Sequence, residues 1–123
     1  MSESDGSRFI PVPDIEAEIH YLSSVNGGRK GYVASGYRGQ FFYDGHDWDA
    51  QQTFIGKSKL EPGETVTAQL TFLSPDAHVG KVAVGTMFLV REGTQTVGYG
   101  KVTKLLNLLA NANRIAEGSG SPG

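Results

Sequence analysis

The sequence predicts an all-β fold: a small six-stranded antiparallel β-barrel with an added short C-terminal helix. Glycine accounts for 17 of the 123 residues, about twice its usual frequency, which disfavours long helices over most of the chain. Apolar and polar residues alternate in several short runs, as they do in strands with one buried face. Six such strands with no helix between them must pair with one another, and a closed barrel leaves them no exposed edge.

Two runs predict the clearest strands. Between Asp14 and Leu22 every second residue is apolar, and these residues are Ile15, Ala17, Ile19 and Tyr21. The same alternation returns between Val66 and Phe72, after a Pro62-Gly63 pair that suits the centre of a type II turn. Each run therefore predicts a strand that buries one face.

A third run is apolar in both alternating sets of residues. It extends from Val82 to Val90 and predicts a central strand that is covered on both sides. A further, less regular strand is predicted by a cluster of aromatic residues, since these favour strands. The cluster consists of Tyr37, Phe41, Phe42 and Tyr43.

A hairpin follows the third run. Residues Glu92 to Gln95 predict a turn, and Thr96 to Thr103 predict a strand that returns along the previous one. On this strand we expect Val97 and Tyr99 to share one face and Val102 to lie on the other.

The two ends of the chain differ from the barrel. Residues 1–12 predict a disordered lead, 13–104 the barrel, 105–117 an amphipathic helix and 118–123 a flexible tail after Gly118. The helix has an apolar stripe at steps of three and four residues, formed by Leu105, Leu108, Leu109, Ala112, Ile115 and Ala116. A helix this short needs a surface to pack on. We expect it to fold back on the barrel, with a dimer formed through the helix as the alternative.

Composition and charge exclude several classes of function. Eleven Lys and Arg against 13 Asp and Glu give a net charge of −2, so bulk charge does not attract nucleic acid. Without cysteine, the chain has no disulfide, thiolate zinc site or thiol nucleophile. The first eight residues contain no apolar segment for secretion or anchoring, so we expect a cytoplasmic protein without membrane contact.

No motif for catalysis or cofactor binding stands out. Gly56-Lys57-Ser58 resembles the end of a phosphate-binding loop, but Gln51 stands where that loop requires its first glycine. Gly98 and Gly100 fit close backbone packing in a barrel better than a dinucleotide fingerprint. Because no nucleophile and no acid–base pair is marked, we expect a non-enzyme with no catalytic residue, metal or cofactor.

Two local clusters of charge are candidate sites. Arg29, Lys30 and Arg38 lie in a glycine-rich stretch with no acidic residue, where they could receive phosphates or carboxylates. The second cluster follows directly and is acidic; it contains Asp44, His46, Asp47, Trp48 and Asp49. We interpret it as a solvated loop, with a metal site or a partner contact anchored by Trp48 as the alternatives.

Several short runs occur in a specific order over about three quarters of the chain. They are Asp14-Ile15-Glu16-Ala17-Glu18-Ile19, Gly27-Gly28-Arg29, Gly36-Tyr37-Arg38, Gln40-Phe41, Pro62-Gly63, Arg91-Glu92-Gly93 and Thr96-Val97-Gly98. By the order and spacing of these runs, the segment from about Pro13 to Lys104 resembles the C-terminal β-barrel domain, the third domain, of bacterial elongation factor Tu. The resemblance implies the same small barrel that the alternating runs predict.

The resemblance also implies a binding role. GTP hydrolysis belongs to the first domain of that factor, so the resemblance implies that this chain neither binds nor hydrolyses GTP. The third domain contacts the T-stem backbone of aminoacyl-tRNA, the nucleotide exchange factor and the other domains of the factor. Carried over by position, the implied contact residues are Arg29 and its neighbour Lys30, Gln40, Arg91, Glu92 and Gly93.

The chain departs from the family at three places. The residues from Asp44 to Ala50 replace a threonine-rich run led by an arginine, and carboxylates repel phosphate oxygens where hydroxyls would donate to them. Gly39 replaces a proline, and the loop that follows the basic residues is shortened to Gly31–Ser35. The C-terminal helix is an addition.

Two functional hypotheses follow from these observations. The first is a stand-alone, non-catalytic binding module that contacts the translation apparatus through a protein, such as an elongation factor or exchange factor, or through tRNA. The alternative is an orphan barrel recruited as a decoy, immunity or regulatory protein, which would use the acidic Asp44–Asp49 loop and Trp48.

Overall fold

The computed structural model describes residues 12–120 of the chain. Those residues form eight strands: β1 (Ile15–Tyr21), β2 (Val33–Ala34), β3 (Arg38–Tyr43), β4 (His46–Phe54), β5 (Lys59–Leu60), β6 (Thr65–Phe72), β7 (Met87–Glu92) and β8 (Gln95–Leu105). The helix α1 (Leu108–Gly120) follows β8, and two single-turn 3-10 helices lie at Ser24–Asn26 and Pro75–His78.

Six of the strands close into an antiparallel barrel. Around the barrel the order is β1, β6, β4, β3, β7 and β8, and β8 pairs back with β1. The two short strands, β2 and β5, form a separate two-stranded sheet. Because the ladder closes on itself, the barrel strands expose no row of unpaired backbone groups. The predicted fold class, a six-stranded antiparallel barrel with one short C-terminal helix, is confirmed.

The inward-facing residues of the six strands build the core. Phe41 contacts four other rings, with centroid distances of 4.1 Å to Phe88, 5.0 Å to Phe72, 5.4 Å to Tyr43 and 6.5 Å to His78. β1 and β6 bury alternate residues as predicted, and the buried residues of β1 are Ile15, Ala17, Ile19 and Tyr21. Burying each large apolar side chain contributes about 1.5–3 kcal/mol, so these rows hold the barrel together.

The third predicted strand begins later than its apolar run. β7 starts at Met87, whereas Val82 is buried in the connection that precedes the strand. Gly85 has a φ of 97° and its N–H donates to the carbonyl of Val102, so the chain turns there before it joins the barrel. Met87 is 65% exposed. The prediction of a strand covered on both sides was therefore wrong.

A β-bulge in β8 changes which residues face the core. The register between β7 and β8 shifts between Val90 and Arg91, where Val97 is the extra residue of β8. The extra residue reverses the alternation, so that Val97 and Val102 are both buried while Tyr99 is exposed. The prediction that Val97 shares a face with Tyr99 was wrong for this reason.

The predicted acidic loop is mostly a strand. Asp44 and Gly45 form a two-residue turn with φ values of 52° and 79°, and positive φ at both positions is what a tight hairpin of this length requires. β4 begins directly afterwards at His46, which pairs with Tyr43, and continues to Phe54. The sequence did not predict this strand, because its first four residues include two aspartates and none of the four is fully buried.

The limits of α1 differ from the predicted helix 105–117. β8 continues to Leu105, so the helix begins three residues later than predicted, at Leu108. It then passes the predicted stop at Gly118 and ends at Gly120, which makes the start of the predicted tail 118–123 helical. Residues 1–11 of the predicted lead 1–12 and residues 121–123 of the predicted tail lie outside the described residues.

A buried carboxylate ties α1 to the start of the barrel. Asp14 is fully buried; its Oδ2 accepts the backbone N–H of Phe72 at 2.7 Å, and its Oδ1 accepts a side-chain N–H of Asn111 at 2.6 Å. The same amide of Asn111 donates to the carbonyl of Val12 at 2.8 Å. Burial raises the pKa of Asp14, against the effect of these two hydrogen bonds. The helix therefore folds back on the barrel, as expected, and Leu108 is buried there.

Replacing Asn111 by alanine is expected to destabilise the protein by about 2 kcal/mol, because one oxygen of the buried Asp14 carboxyl would lose its donor. The measurement is urea unfolding at pH 7, followed by circular dichroism. Asn113→Ala is the matched control, since Asn113 is exposed on the same helix. Equal losses in the two variants would show that the Asn111 amide does not anchor the helix.

Candidate functional site

The predicted basic loop is fastened to the turn between β7 and β8. Gly27 has a φ of 89°, and a side chain at Gly28 would place its Cβ 2.0 Å from the carbonyl oxygen of Leu22, so the loop path requires both glycines. The side-chain amide of Gln95, at the start of β8, donates to the carbonyl of Gly27 at 2.8 Å. This path brings the next residue, Arg29, against the hairpin.

Arg29 forms an ion pair with Glu92. The resemblance implied each of these two residues as a partner contact, but not their pairing. The guanidinium donates to Glu92 Oε2, and the hydroxyl of Tyr37 donates to the same oxygen. The guanidinium also lies 5.3 Å from the centre of the Tyr37 ring. Burial lowers the pKa of Arg29, but the bond and charge of Glu92 outweigh it and raise the pKa overall. Burial, reinforced by Glu92, also raises the pKa of Tyr37.

Arg91 forms a second ion pair beside the first. Its guanidinium lies 3.6 Å from Asp47 Oδ2 and 4.5 Å from the centre of the Phe42 ring. Gln40 is its partner across the β3–β7 ladder. Gln40 Oε1 and Arg91 Nε are both buried and have no hydrogen-bond partner within residues 12–120. Of the Arg91 guanidinium, it is Nη1 that lies within ion-pair distance of a carboxylate.

The structure brings most of the predicted contact residues together. We call this set the loop-hairpin surface; it consists of Arg29, Lys30, Gln40, Arg91, Glu92 and Gly93. Lys30 is exposed next to Arg29, and it makes no ion pair with any described residue. Two carboxylates, Glu92 and Asp47, balance two of the three cations, so the surface is much less basic than the local sequence suggested.

Arg38 begins β3, on the same outward face of that strand as Gln40 of this surface. It is exposed at the first position of β3, where it pairs with Gln51 of β4, and it lines a groove that Arg114 of the helix also lines. Sequence proximity to Lys30 had grouped it with the basic loop. In the chain, the short strand β2 lies between Lys30 and Arg38.

The predicted acidic cluster is divided between two faces of the barrel. Asp47 and Asp49 are exposed on β4, and Asp47 pairs with Arg91 as described. Trp48, between them, packs against the core with its ring centre 4.7 Å from that of His78. Asp44 lies in the exposed turn that precedes the strand. Alternation along the strand thus prevents these residues from forming one contact patch.

His78 is a buried residue that the sequence analysis did not mark. Its ring stacks on Phe72 at a centroid distance of 4.0 Å, and Nδ1 lies 2.7 Å from the hydroxyl of Tyr43. Burial, with a smaller effect of Lys81, lowers the pKa of His78 to about 4. The ring is therefore neutral at pH 7 and serves the core. No periodic pattern signalled its burial, because it ends a single-turn 3-10 helix.

Two further properties bear on function. Among the described residues, no group of three His, Asp or Glu side chains lies close enough to hold a metal ion. Over the same part of the chain, no helix has both the length and the apolar character needed to cross a membrane.

Comparison with protein families places most of the chain in a known family model. The family model for the elongation factor Tu C-terminal domain matches residues 9–106, which is about four fifths of the chain. The match includes all eight strands of the described residues and stops two residues before α1 begins. The helix is thus an addition to the part of the chain that the family model covers.

Proposed function

This chain belongs to the elongation factor Tu C-terminal domain family, and from that membership we propose that it contacts a protein of the translation apparatus through its loop-hairpin surface. The family domain is a non-catalytic barrel, so the function at its coarsest is that of a translation-factor-like binding module. The finer proposal is that the partner is a protein such as an elongation factor or its exchange factor. A cytoplasmic site of action belongs to this proposal.

The balance of charge on the loop-hairpin surface carries the choice of a protein partner. Arg29 and Arg91 each have a carboxylate partner, which leaves Lys30 as the one cation of this surface without an ion pair among residues 12–120. Nucleic-acid affinity depends on several unpaired cations that neutralise phosphates. Alternating charges of both signs instead favour a protein surface of complementary pattern.

The neighbourhood of the surface supports the same choice. Tyr32, in the basic loop, is 52% exposed, and the Lys59 ammonium lies 4.9 Å from the centre of its ring. The carbonyl of Tyr32 accepts a hydrogen bond from Arg29 at 3.3 Å, which fixes the loop that carries it. Tyrosine and arginine are among the residue types enriched in protein interfaces.

The double variant Lys30→Glu, Arg91→Glu is expected to weaken binding to the protein partner at least about tenfold, because it reverses two charges of the pattern. Binding is measured by calorimetry against purified elongation factor Tu and, separately, its exchange factor. The matched control is Lys81→Glu, Lys101→Glu, which reverses two exposed cations outside the surface. Circular dichroism melting establishes that each variant is folded.

Two results would contradict the proposal. One is the absence of binding to either purified factor; the other is equal binding by the wild type and the Lys30, Arg91 variant.

An electrophoretic shift with bulk tRNA at two salt concentrations tests tRNA as the partner instead. Contact through Arg29, Lys30 and Arg38 would release about three ions at most, so we expect a weak shift with a shallow dependence on salt. A strong shift would make tRNA the partner.

The alternative role as a decoy, immunity or regulatory protein would depend on Trp48 and the acidic residues around it. The packing of Trp48 against His78 argues for a part in the core. Trp48→Ala is therefore expected to lower the melting temperature. A variant that kept its stability but lost a partner would favour the alternative.

A further inference from the structure

A groove lies between α1 and the outside of the barrel. It has a volume of about 260 Å³, and the apolar residues that line it include Leu73, Pro75 and Phe72. Leu73 is 64% exposed, so this apolar surface is open to a ligand. Pockets that enclose a drug-sized molecule measure roughly 300–1,000 Å³, so this groove suits one or two side chains of a larger partner.

The groove depends on the part of the chain that the family match does not cover. Asn111 and Arg114 line it from α1, beyond residue 106. An inference about this groove therefore goes beyond the proposed function, which rests on the loop-hairpin surface of the barrel.

Two guanidinium groups lie along the groove. Arg38 is exposed at its barrel side, and its guanidinium makes no hydrogen bond or ion pair with the residues that the structure describes. Arg114, on the helix side, donates to Asn111 Oδ1 at 2.9 Å. The carboxylates of the groove offset them only in part. Asp14 is buried with both oxygens hydrogen-bonded, which leaves Asp49 as the exposed acidic residue of the lining.

Polar side chains alternate with the apolar lining. Gln51 and Thr71 lie on the barrel side. The side-chain amide of Gln51 makes a single long hydrogen bond, in which its Nε2 donates to the carbonyl of Gly36 at 3.4 Å. A peptide backbone offers partners to such groups, whereas an acyl chain would bury them without any. The two arginines select for carboxylates on that peptide.

We infer that this groove binds a peptide segment of a partner protein in which apolar side chains stand next to acidic ones. The apolar side chains enter between α1 and the barrel, and the carboxylates pair with Arg38 and Arg114. The groove is thus a second binding surface, which α1 adds to the barrel and which borders the loop-hairpin surface where Asp49 pairs with Gln40.

The test is an NMR titration of the full-length chain, labelled with ¹⁵N, with the synthetic peptide acetyl-Gly-Leu-Phe-Glu-Glu-Gly-amide. We expect saturable shifts of the amide signals of Thr71, Leu73 and Arg114. Arg38→Glu combined with Arg114→Glu is expected to weaken binding at least about tenfold. The matched control, Lys30→Glu with Lys81→Glu, is expected to bind as the wild type does. Since Arg114 is close to the helix anchor, Arg38→Gln alone provides a variant confined to an exposed side chain.

Several outcomes would overturn the inference. No shift up to about 5 mM peptide would exclude binding of this class. Equal binding of the peptide with both Glu replaced by Gln would show that charge is not recognised. Shifts that depend on protein concentration without peptide would assign the groove to a second copy. Because the chain has no cysteine, a nitroxide on Ser4→Cys can test residues 1–11: broadening of the groove signals would make that segment the occupant.

Failure of this titration leaves the proposed function untouched, because the two surfaces use different residues. The Lys30, Arg91 variant tests the loop-hairpin surface and the Arg38, Arg114 variant tests the groove. A chain that bound the translation factors but not the peptide would have only the first surface, and the reverse result would leave only the second.

Discussion

Gly100→Ala is expected to destabilise the barrel by about 3 kcal/mol, at the upper end of the usual cost of overpacking a core. Gly100 of β8 is buried, and it pairs with Phe88 of β7 on one side and with Ile19 of β1 on the other. A Cβ at this position would lie 2.4 Å from Phe88 Cζ and 2.8 Å from the carbonyl oxygen of Glu18. The ring can move, but the carbonyl belongs to a paired strand and cannot move without disturbing the ladder.

Urea unfolding measures this effect, with Gly31→Ala as the matched control. Gly31 has open space around its Cα and no positive φ, so its substitution is expected to be neutral or slightly stabilising. Adding Phe88→Leu to Gly100→Ala removes the ring atoms that the new Cβ would meet and should restore part of the lost stability. If Gly100→Ala and Gly31→Ala unfold at the same urea concentration, the close packing of β8 on its neighbours is refuted.

The second large effect is a loss of stability in acid through His78. Its pKa in the folded protein is lowered to about 4 from the ordinary value of 6.5, so between these values the unfolded chain binds more protons than the folded one. Stability is then fully present above pH 6.5 and falls as the pH decreases towards 4. The shift in the pKa of His78 corresponds to about 3 kcal/mol of folding stability. This stability is lost as the pH falls, because the buried neutral ring must then take up a proton.

The measurement compares the pH dependence of unfolding free energy in the wild type and in His78→Phe. The phenyl ring can keep the stacking on Phe72 but does not titrate, so the wild type should lose about 3 kcal/mol relative to the variant between pH 7 and pH 4. Asp14 is present in both proteins, and its own contribution cancels in the comparison. His46→Gln retains His78 and should keep the loss. Parallel curves for the wild type and His78→Phe would refute this account.

Local alternation was sufficient to predict several elements. β1 and β6 were identified from rows of alternate apolar residues, because each pairs in regular register and buries one face. The order of the short runs identified the family as well. β4 escaped the same reasoning, since its first residues are largely polar, and the bulge at Val97 changed the alternation within β8.

The residues of the candidate site were proposed from the sequence, but the pairing of their charges was not. Arg29 and Arg91 were identified as cations for a partner, yet each has a carboxylate beside it, and Glu92 lies 63 residues after Arg29. Spacing along the chain carries no information on such pairs. Arg38 is eight residues from Lys30 in the sequence, but it begins β3 whereas Lys30 lies in the basic loop.

The amino-acid sequence alone determined the class of fold, the strands with regular alternation and the family, because each depends on short-range patterns of side chains. Only the tertiary structure decided how the charges of the loop-hairpin surface balance, that His78 is buried, and that α1 forms a groove with Arg38. These properties depend on distances between residues far apart in the chain, and those distances are set by the closure of the barrel and the anchoring of α1 by Asp14 and Asn111.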